Sequence, residues 1–292
     1  MRAGKLKSFT LSFFLTFFVM SSVSAVSIAW LSIDSSVKNA AADNNYTAPY
    51  MPKDTESLSI LIAGCSLRVL PAERFTLIKY DPVSEHIAVM GIPGEMSATV
   101  GTRTSTLTDM YDYGGIGMAK TAVENTFGIR INRTARIETA GIINIVDHFG
   151  GILYDLKNQI RYDHAATGIH VSLEPGRQIL DGRRTAAFLH HVPDDDRIHA
   201  VNQKAEFTAE FIRQIISVIS NNNYESTFNM ILKNHDGNMG IYDFMMRRAG
   251  LFYLAENKKL EITAVKISGK YNSLGEFLID ISNLPQMAIM FK

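Results

Sequence analysis

The sequence predicts an α/β domain held outside a membrane by a single N-terminal helix. Three observations carry this. An uncharged apolar stretch follows a basic N-terminus, a polar linker follows the stretch, and short β-like runs then alternate with amphipathic helical ones. Strands alternating with helices imply a sheet with helices packed on its faces.

Arg2, Lys5 and Lys7 precede a run from Phe9 to Ile33 that contains no charge. A membrane-crossing helix needs about 20 mainly apolar residues, and the basic flank places the N-terminus in the cytoplasm. Residues 1–34 therefore read as a cytoplasmic start and single-pass transmembrane anchor, with everything later extracytoplasmic. A cleaved signal peptide is the alternative, since Val23-Ser24-Ala25 is a usable small-residue site. The apolar run continues well past that site, however, with Trp30 where an interfacial aromatic sits, which favours an uncleaved anchor. Residues 35–57 are rich in Ser, Ala, Asn, Asp and Thr and read as a tether, leaving 58–292 as one domain. Leu61-Ile62-Ala63-Gly64-Cys65 imitates a lipoprotein box, but it follows the charged linker residues Lys53, Asp54 and Glu56. It reads as a buried strand running into a turn.

Within the domain, Leu58–Ala63 is a nearly continuous apolar run, as a strand buried on both faces requires. Phe75–Tyr80 and His86–Ile92 are β-like and are separated by the turn signal Asp81-Pro82. Gly115–Phe127 reads as a helix stopped by Gly128, and Ile129–Ile137 alternates as a strand. Thr139–Phe149 places Ile142, Ile145, Val146 and Phe149 at i, i+3, i+4, i+7 spacing and ends at Gly150-Gly151. Phe207 to Ile219 marks a long amphipathic helix stopped by Asn221-Asn222-Asn223, and a further helix is predicted over Ile241–Ala255. Glu261–Ser268 reads as a late strand and Glu276–Ile281 as an edge strand.

Composition narrows the function. Lys plus Arg equals Asp plus Glu at 29 each, without the cationic excess that nucleic-acid binding needs, so no nucleic-acid partner is expected. The single cysteine, Cys65, rules out an intramolecular disulfide, and a domain of this size is stabilised by its core alone.

Several segments, taken in order, resemble the LytR-CpsA-Psr family of cell-envelope proteins. They are Ser59-Ile-Leu-Ile-Ala-Gly-Cys-Ser-Leu-Arg68, Met90-Gly-Ile-Pro-Gly-Glu95, and Tyr111-Asp-Tyr-Gly-Gly115 leading into Thr121-Ala-Val-Glu-Asn-Thr-Phe-Gly-Ile129. Ile145-Val-Asp-His-Phe-Gly-Gly151 and Leu173-Glu-Pro-Gly-Arg-Gln-Ile-Leu-Asp-Gly182 follow. The resemblance implies a central mixed sheet with helices on both faces. It implies transfer of a glycopolymer from a polyprenyl-pyrophosphate carrier to peptidoglycan, outside the cell. The implied partners are the polyprenyl-linked glycan intermediate, the cell wall, the membrane and another envelope protein. Mg²⁺ is the implied cofactor, held by carboxylates, with arginines gripping the phosphates.

The family pattern is only partly kept. Its first acidic position falls on Ser66 and its second on Phe75, with Arg74 one place away. Its Pro-Arg-Asp element reads Pro93-Gly94-Glu95, and the helix that should end in Tyr-Val-Arg reads Phe188-Leu189-His190. Carried over by position, Arg68, Glu95 and Arg197 are the candidate catalytic residues. Arg74, Arg103, Arg184, His190 and Gln203 are the candidate substrate-binding residues. Losing one preorganised charge-stabilising donor costs about 10²–10³ in rate, so two missing acids and two missing arginines predict catalysis that is weakened or lost. The alternative role is a non-catalytic polyprenyl-phosphate-binding, scaffold or regulatory protein of cell-wall assembly. Restoring Gly94→Arg and His190→Arg is the test that this reading suggests.

His190, His191, Asp194, Asp195, Asp196 and His199 crowd together in sequence. Adjacent helical histidines point about 100° apart and no His-x-x-x-His pair supports them, so no metal site is assigned. No Gly-x-Ser-x-Gly elbow occurs, and Cys65 at a strand end reads as an inert buried thiol.

Overall fold

The computed structural model describes residues 50–67, 72–165, 167–193, 196–256 and 260–292. The apolar run Phe9–Ile33, Arg68 and the pair Asp194–Asp195 lie outside the described residues. Among those described, no helix is long and apolar enough to cross a membrane.

Residues 51–292 form one compact unit. It opens with a single 3-10 turn, Asp54–Glu56, inside the segment assigned to the tether. Strands β1 (Leu58–Cys65), β2 (Arg74–Asp81) and β3 (His86–Pro93) then form an antiparallel meander. The hairpin β4 (Ser97–Val100) and β5 (Arg103–Thr106) leads into helix α1 (Leu107–Phe127). Strand β6 (Arg133–Glu138) returns parallel to β1 and runs into α2 (Thr139–His148). Two small antiparallel pairs follow, β7 (Ile152–Leu156) with β10 (Gly176–Leu180) and β8 (Ile160–His164) with β9 (Ile169–Leu173). The rest is largely helical: α3 (Gly182–His190), α4 (Arg197–Val218) and α5 (Tyr224–Lys233), then, after β11 (Asp236–Gly237), α6 (Ile241–Met245) and α7 (Arg248–Glu256). Strand β12 (Glu261–Ala264), the hairpin β13 (Gly269–Tyr271) and β14 (Phe277–Ile279), and α8 (Leu284–Ile289) complete the chain. The main sheet has the order β11-β6-β1-β2-β3-β12. It is mixed, because β6 and β12 join parallel while the other pairings are antiparallel.

Alternation along the central strands divides the molecule. Leu61, Ala63 and Cys65 of β1, with Phe75 and Leu77 of β2, pack with Met110, Ala122 and Val123 of α1. Their neighbours Ile60, Ile62, Ile78 and Tyr80 face the opposite way, toward α4, α5 and α7. Successive side chains on a strand point to opposite faces, so burial on both sides gives the unbroken apolar run expected of β1.

Several boundaries differ from the sequence reading, among them that of the long helix, which starts at Arg197 rather than Phe207, and that of the late strand, which ends at Ala264 rather than Ser268. Helix α1 starts at Leu107 rather than Gly115, because the Thr106 hydroxyl accepts from the Asp109 backbone N–H at 3.1 Å and donates to Asp109 Oδ2 at 2.7 Å. Gly114 and Gly115 instead mark a break inside α1, with Gly115 at φ 65°, a conformation glycine tolerates freely. The predicted strand from Ile129 forms only from Arg133, because the Ile131 N–H is taken by Glu124 Oε1 at 2.7 Å. The single helix expected over Ile241–Ala255 is two, α6 and α7.

Candidate functional site

On the face of the sheet away from α1 lies a cavity of about 400 Å³ between β1–β3 and α4. Its walls follow from the two periodicities. Leu58, Ile60, Ile62 and Gly64 are alternate residues of β1, and Arg74, Thr76, Ile78 and Tyr80 are alternate residues of β2. From α4 come Arg197, Val201, Lys204, Thr208, Phe211 and Ile215, spaced three and four apart on one helical face. Most of its length is apolar. Glu73, Arg74, Glu95, His190, Arg197 and Lys204 gather at one end, while Arg247, the other charged residue of the lining, donates to the Asp243 and Ser57 carbonyls.

Arg74 opens β2 and lies across β1. A Cβ on Gly64 would meet its Nε at 2.8 Å and its Cγ at 3.0 Å, so the absent side chain at Gly64 provides the channel in which the guanidinium rests. The fork spans the His190 ring, with Nη1 2.8 Å from Nδ1 and Nη2 3.1 Å from Nε2. Thr139, the first residue of α2, places its hydroxyl 2.7 Å from His190 Nε2. The two shortest contacts assign a neutral ring, with Nδ1 accepting from Arg74 and Nε2–H donating to Thr139. Burial pushes the imidazole down to about 4; the Glu73 carboxylate, 3.6 Å from Nδ1, opposes this and the Arg74 charge adds to it. Tyr162 stacks on the ring at 5.7 Å.

Glu73 borders the same group. Its carboxylate accepts from the Ser66 hydroxyl at 2.9 and 3.0 Å and lies 3.7 Å from Arg74. The His190 ring, 3.6 Å away, and then Ser66 and Arg74 hold it below the usual carboxylate range against burial. Burial lowers the Arg74 guanidinium, with Glu73 opposing, and it remains a cation. At the mouth, Arg197 pairs with Glu95 at 3.6 Å and lies over the Tyr271 ring at 4.1 Å.

Of the sequence candidates, Arg74, Glu95, His190 and Arg197 thus come together from four separate segments. Arg103 and Arg184 are not among the lining residues. Arg103 sits on the exposed β4–β5 hairpin over Tyr113, and Arg184 is exposed on the first turn of α3, 3.9 Å from Asp181. Gln203 also falls outside the lining, on a different side of α4 from Lys204, with its Nε2 buried and unpartnered. Sequence reasoning missed Glu73, Lys204 and Thr139. Phe75, onto which the second acidic position fell, packs on the α1 face edge-on to Tyr111 at 6.0 Å. The acid beside Arg74 is Glu73, on its other side in sequence.

Among the described residues no three His, Cys, Asp or Glu side chains gather as metal ligands. His190 is committed to Arg74 and Thr139, and His199 stands in the first turn of α4. Mg²⁺ prefers several oxygen ligands with near-octahedral freedom. The donor set here does not fit it, since Glu73 is engaged by Ser66 and flanked by Arg74, and Glu95 is paired with Arg197. Cys65 is buried and accepts from Arg136 Nε at 3.3 Å, while Arg136 Nη2 donates to the Leu67 carbonyl at 3.2 Å.

The sequence-restoring variant Gly94→Arg has no room. A Cβ at Gly94 would meet Thr108 Oγ1 at 2.4 Å and the Glu73 carbonyl oxygen at 2.6 Å. At Gly64, by contrast, the obstacle is a side chain that can move. Gly64→Ala is expected to displace the Arg74 guanidinium from the His190 ring, read as a shift of the His190 imidazole resonances. The unfolding midpoint in urea should change little, which separates this displacement from a loss of fold.

Fold and cavity together define an α/β domain enclosing an elongated apolar space with cations at one end. The profile of the LytR_cpsA_psr family matches residues 19–288, and the chain belongs to this family. Proteins named polyisoprenyl-teichoic acid–peptidoglycan teichoic acid transferase TagU, from Bacillus anthracis and Bacillus cereus, are 26% identical to it over 159 residues. The match covers 53% of this chain and 50% of theirs, so the chain spans about half the length of the curated relatives it matches. Among solved structures, B. subtilis TagV aligns with a TM-score of 0.65 at 17% identity, over 80% of this chain and 95% of that one. TagT bound to LIIa-WTA aligns with a TM-score of 0.63 at 16% identity, over 84% and 92%. At these identities the likeness is one of fold.

Proposed function

We propose that the chain is a membrane-anchored protein of the cell envelope that binds a polyprenyl-pyrophosphate-linked glycan on the outer face. The prenyl tail lies along the apolar cavity and the pyrophosphate meets Arg74, Lys204 and Arg197. The observation that carries this reading is one cavity with a mainly apolar lining and a cluster of cations at one end, the remaining lining cation, Arg247, being bonded to the Asp243 and Ser57 carbonyls. A planar guanidinium binds phosphate oxygens in pairs, and a sheet roofed by α4 supplies a dry groove for an isoprenoid. The naming of curated relatives as teichoic acid transferases acting between a polyisoprenyl carrier and peptidoglycan supports the same substrate class.

In this reading the chain's own residues bind and orient, while phosphoryl chemistry is weakened or lost. Ser66 and Phe75 stand at the acidic positions and Gly94 has no space for a side chain. With even one charge-stabilising donor removed, the rate falls by about 10²–10³. A non-catalytic lipid-binding or scaffold role in cell-wall assembly is the limiting case of that loss.

Mass spectrometry of the full chain purified from its own membranes tests the reading. Co-purified polyprenyl phosphate or pyrophosphate is the expected result. A chain that carries no such lipid and also fails to take up added carrier would overturn it.

A further inference from the structure

Lys204 stands on the inner face of α4, two turns beyond Arg197, among the residues lining the cavity. Its surroundings come from five directions. Arg74 and Glu73 face it from β2 and the residue before it, Glu95 from the segment after β3, and His190 from the end of α3. Arg197 comes from its own helix, and Tyr271 from β13. Of these, Arg74 is a fixed cation and His190 is neutral, bonded to Arg74 and Thr139. Glu95 is paired with Arg197, and Glu73 is held by Ser66 beside Arg74. The amine is therefore the one cationic group of this end without a hydrogen bond or ion pair among the described residues.

We propose that Lys204 is a ligand for the pyrophosphate headgroup and that binding there is coupled to uptake of a proton by its amine. This rests on the substrate class proposed above. The proton passes from solvent to Nζ, and no bond to phosphorus changes. Burial, and then the Arg74 charge, push the amine down to about 7, with Glu95 and Glu73 opposing. A headgroup carrying two or more negative charges in a site of low dielectric favours the charged amine. The direction follows. Above about pH 7 the amine of the empty chain is mainly neutral and binding draws a proton, whereas below it the amine is already charged and little is taken up. Affinity then falls by up to about tenfold for each pH unit above 7.

The test is calorimetric titration of the full chain with geranylgeranyl pyrophosphate in HEPES and in Tris, at pH 6 and pH 8, for the natural sequence, Lys204→Met and Lys204→Arg. The buffer dependence of the heat counts protons, and protonation of the lipid itself is common to all three proteins. The natural chain should take up about one proton more than either variant at pH 8, with the difference nearly gone at pH 6. Lys204→Arg, always charged, should hold its affinity at pH 8 where Lys204→Met loses about tenfold. Binding with equal proton uptake in all three proteins would overturn the proposal for Lys204 and leave the substrate class standing. Failure of the natural chain to bind at either pH would overturn the substrate class and this proposal with it.

Discussion

Replacing Arg74 with methionine is expected to weaken prenyl pyrophosphate binding by about 100-fold or more, with the fold retained. Removing one partner of a buried, hydrogen-bonded charge pair costs about 2–5 kcal/mol, and each 1.4 kcal/mol is about tenfold in affinity. Arg74 is the fixed cation at the head of the cavity, and its fork is already oriented by the His190 ring at 2.8 and 3.1 Å. The effect on stability is expected to be small because two consequences oppose each other. Methionine leaves His190 Nδ1 without its donor, yet it also relieves the chain of a buried cation. Arg74→Lys keeps a point charge but loses the planar fork, and should fall between the two at about a tenfold loss. Equilibrium binding of a fluorescent prenyl pyrophosphate, with urea unfolding alongside, measures both quantities. A loss under about threefold in Arg74→Met would place the headgroup elsewhere.

The contrast between Arg74 and Phe75 shows what the sequence could and could not disclose. That Phe75–Tyr80 is a strand was legible, because its apolar residues, bounded by a turn signal, have the composition of one. Which residue faces the cavity depends on where pairing begins, and a shift of one residue reverses every side chain. The strand begins at Arg74, opposite Gly64 in β1. Arg74 therefore points to α4 and Phe75 to α1, which no local pattern reveals. His190 was legible as an unusual residue but not as Arg74's partner, since the two lie 116 residues apart in the chain. Lys204 was hidden differently. The apolar stripe of α4 was read from Phe207 onward, and the first turns, with Asp196 capping the His199 N–H at 3.3 Å, extend the same face back through Lys204 to Arg197. A capping signal was available for α1 in Thr106-x-x-Asp109, and it would have moved the helix start to its place. Arg103 and Arg184 sit near the site in motif order, yet their elements turn them to solvent.

Acidification from pH 7 to pH 5 is expected to destabilise the domain by about 2 kcal/mol through His190 alone. The side chain is 2% exposed, so solvent screening gives little relief. Burial holds the folded pKa at about 4, against 6.5 for an ordinary histidine. Folding therefore favours the neutral ring. Its contribution is fully present above pH 6.5 and is lost progressively as pH falls from there to about 4. Charging the ring would set an imidazolium against Arg74 and remove the acceptor at Nδ1. Glu73, also held below its usual range, acts in the same direction at lower pH, because its protonation forfeits the Ser66 and Arg74 contacts. His190→Gln separates the two. The amide offers an oxygen to Arg74 and an N–H to Thr139 without titrating, so its stability should fall by well under 1 kcal/mol over the same interval. Urea unfolding at pH 7 and pH 5 gives the comparison directly. Equal losses in both proteins would mean that the acid sensitivity arises outside this ring, and that His190 is not the neutral spacer holding Arg74 ready for an anion.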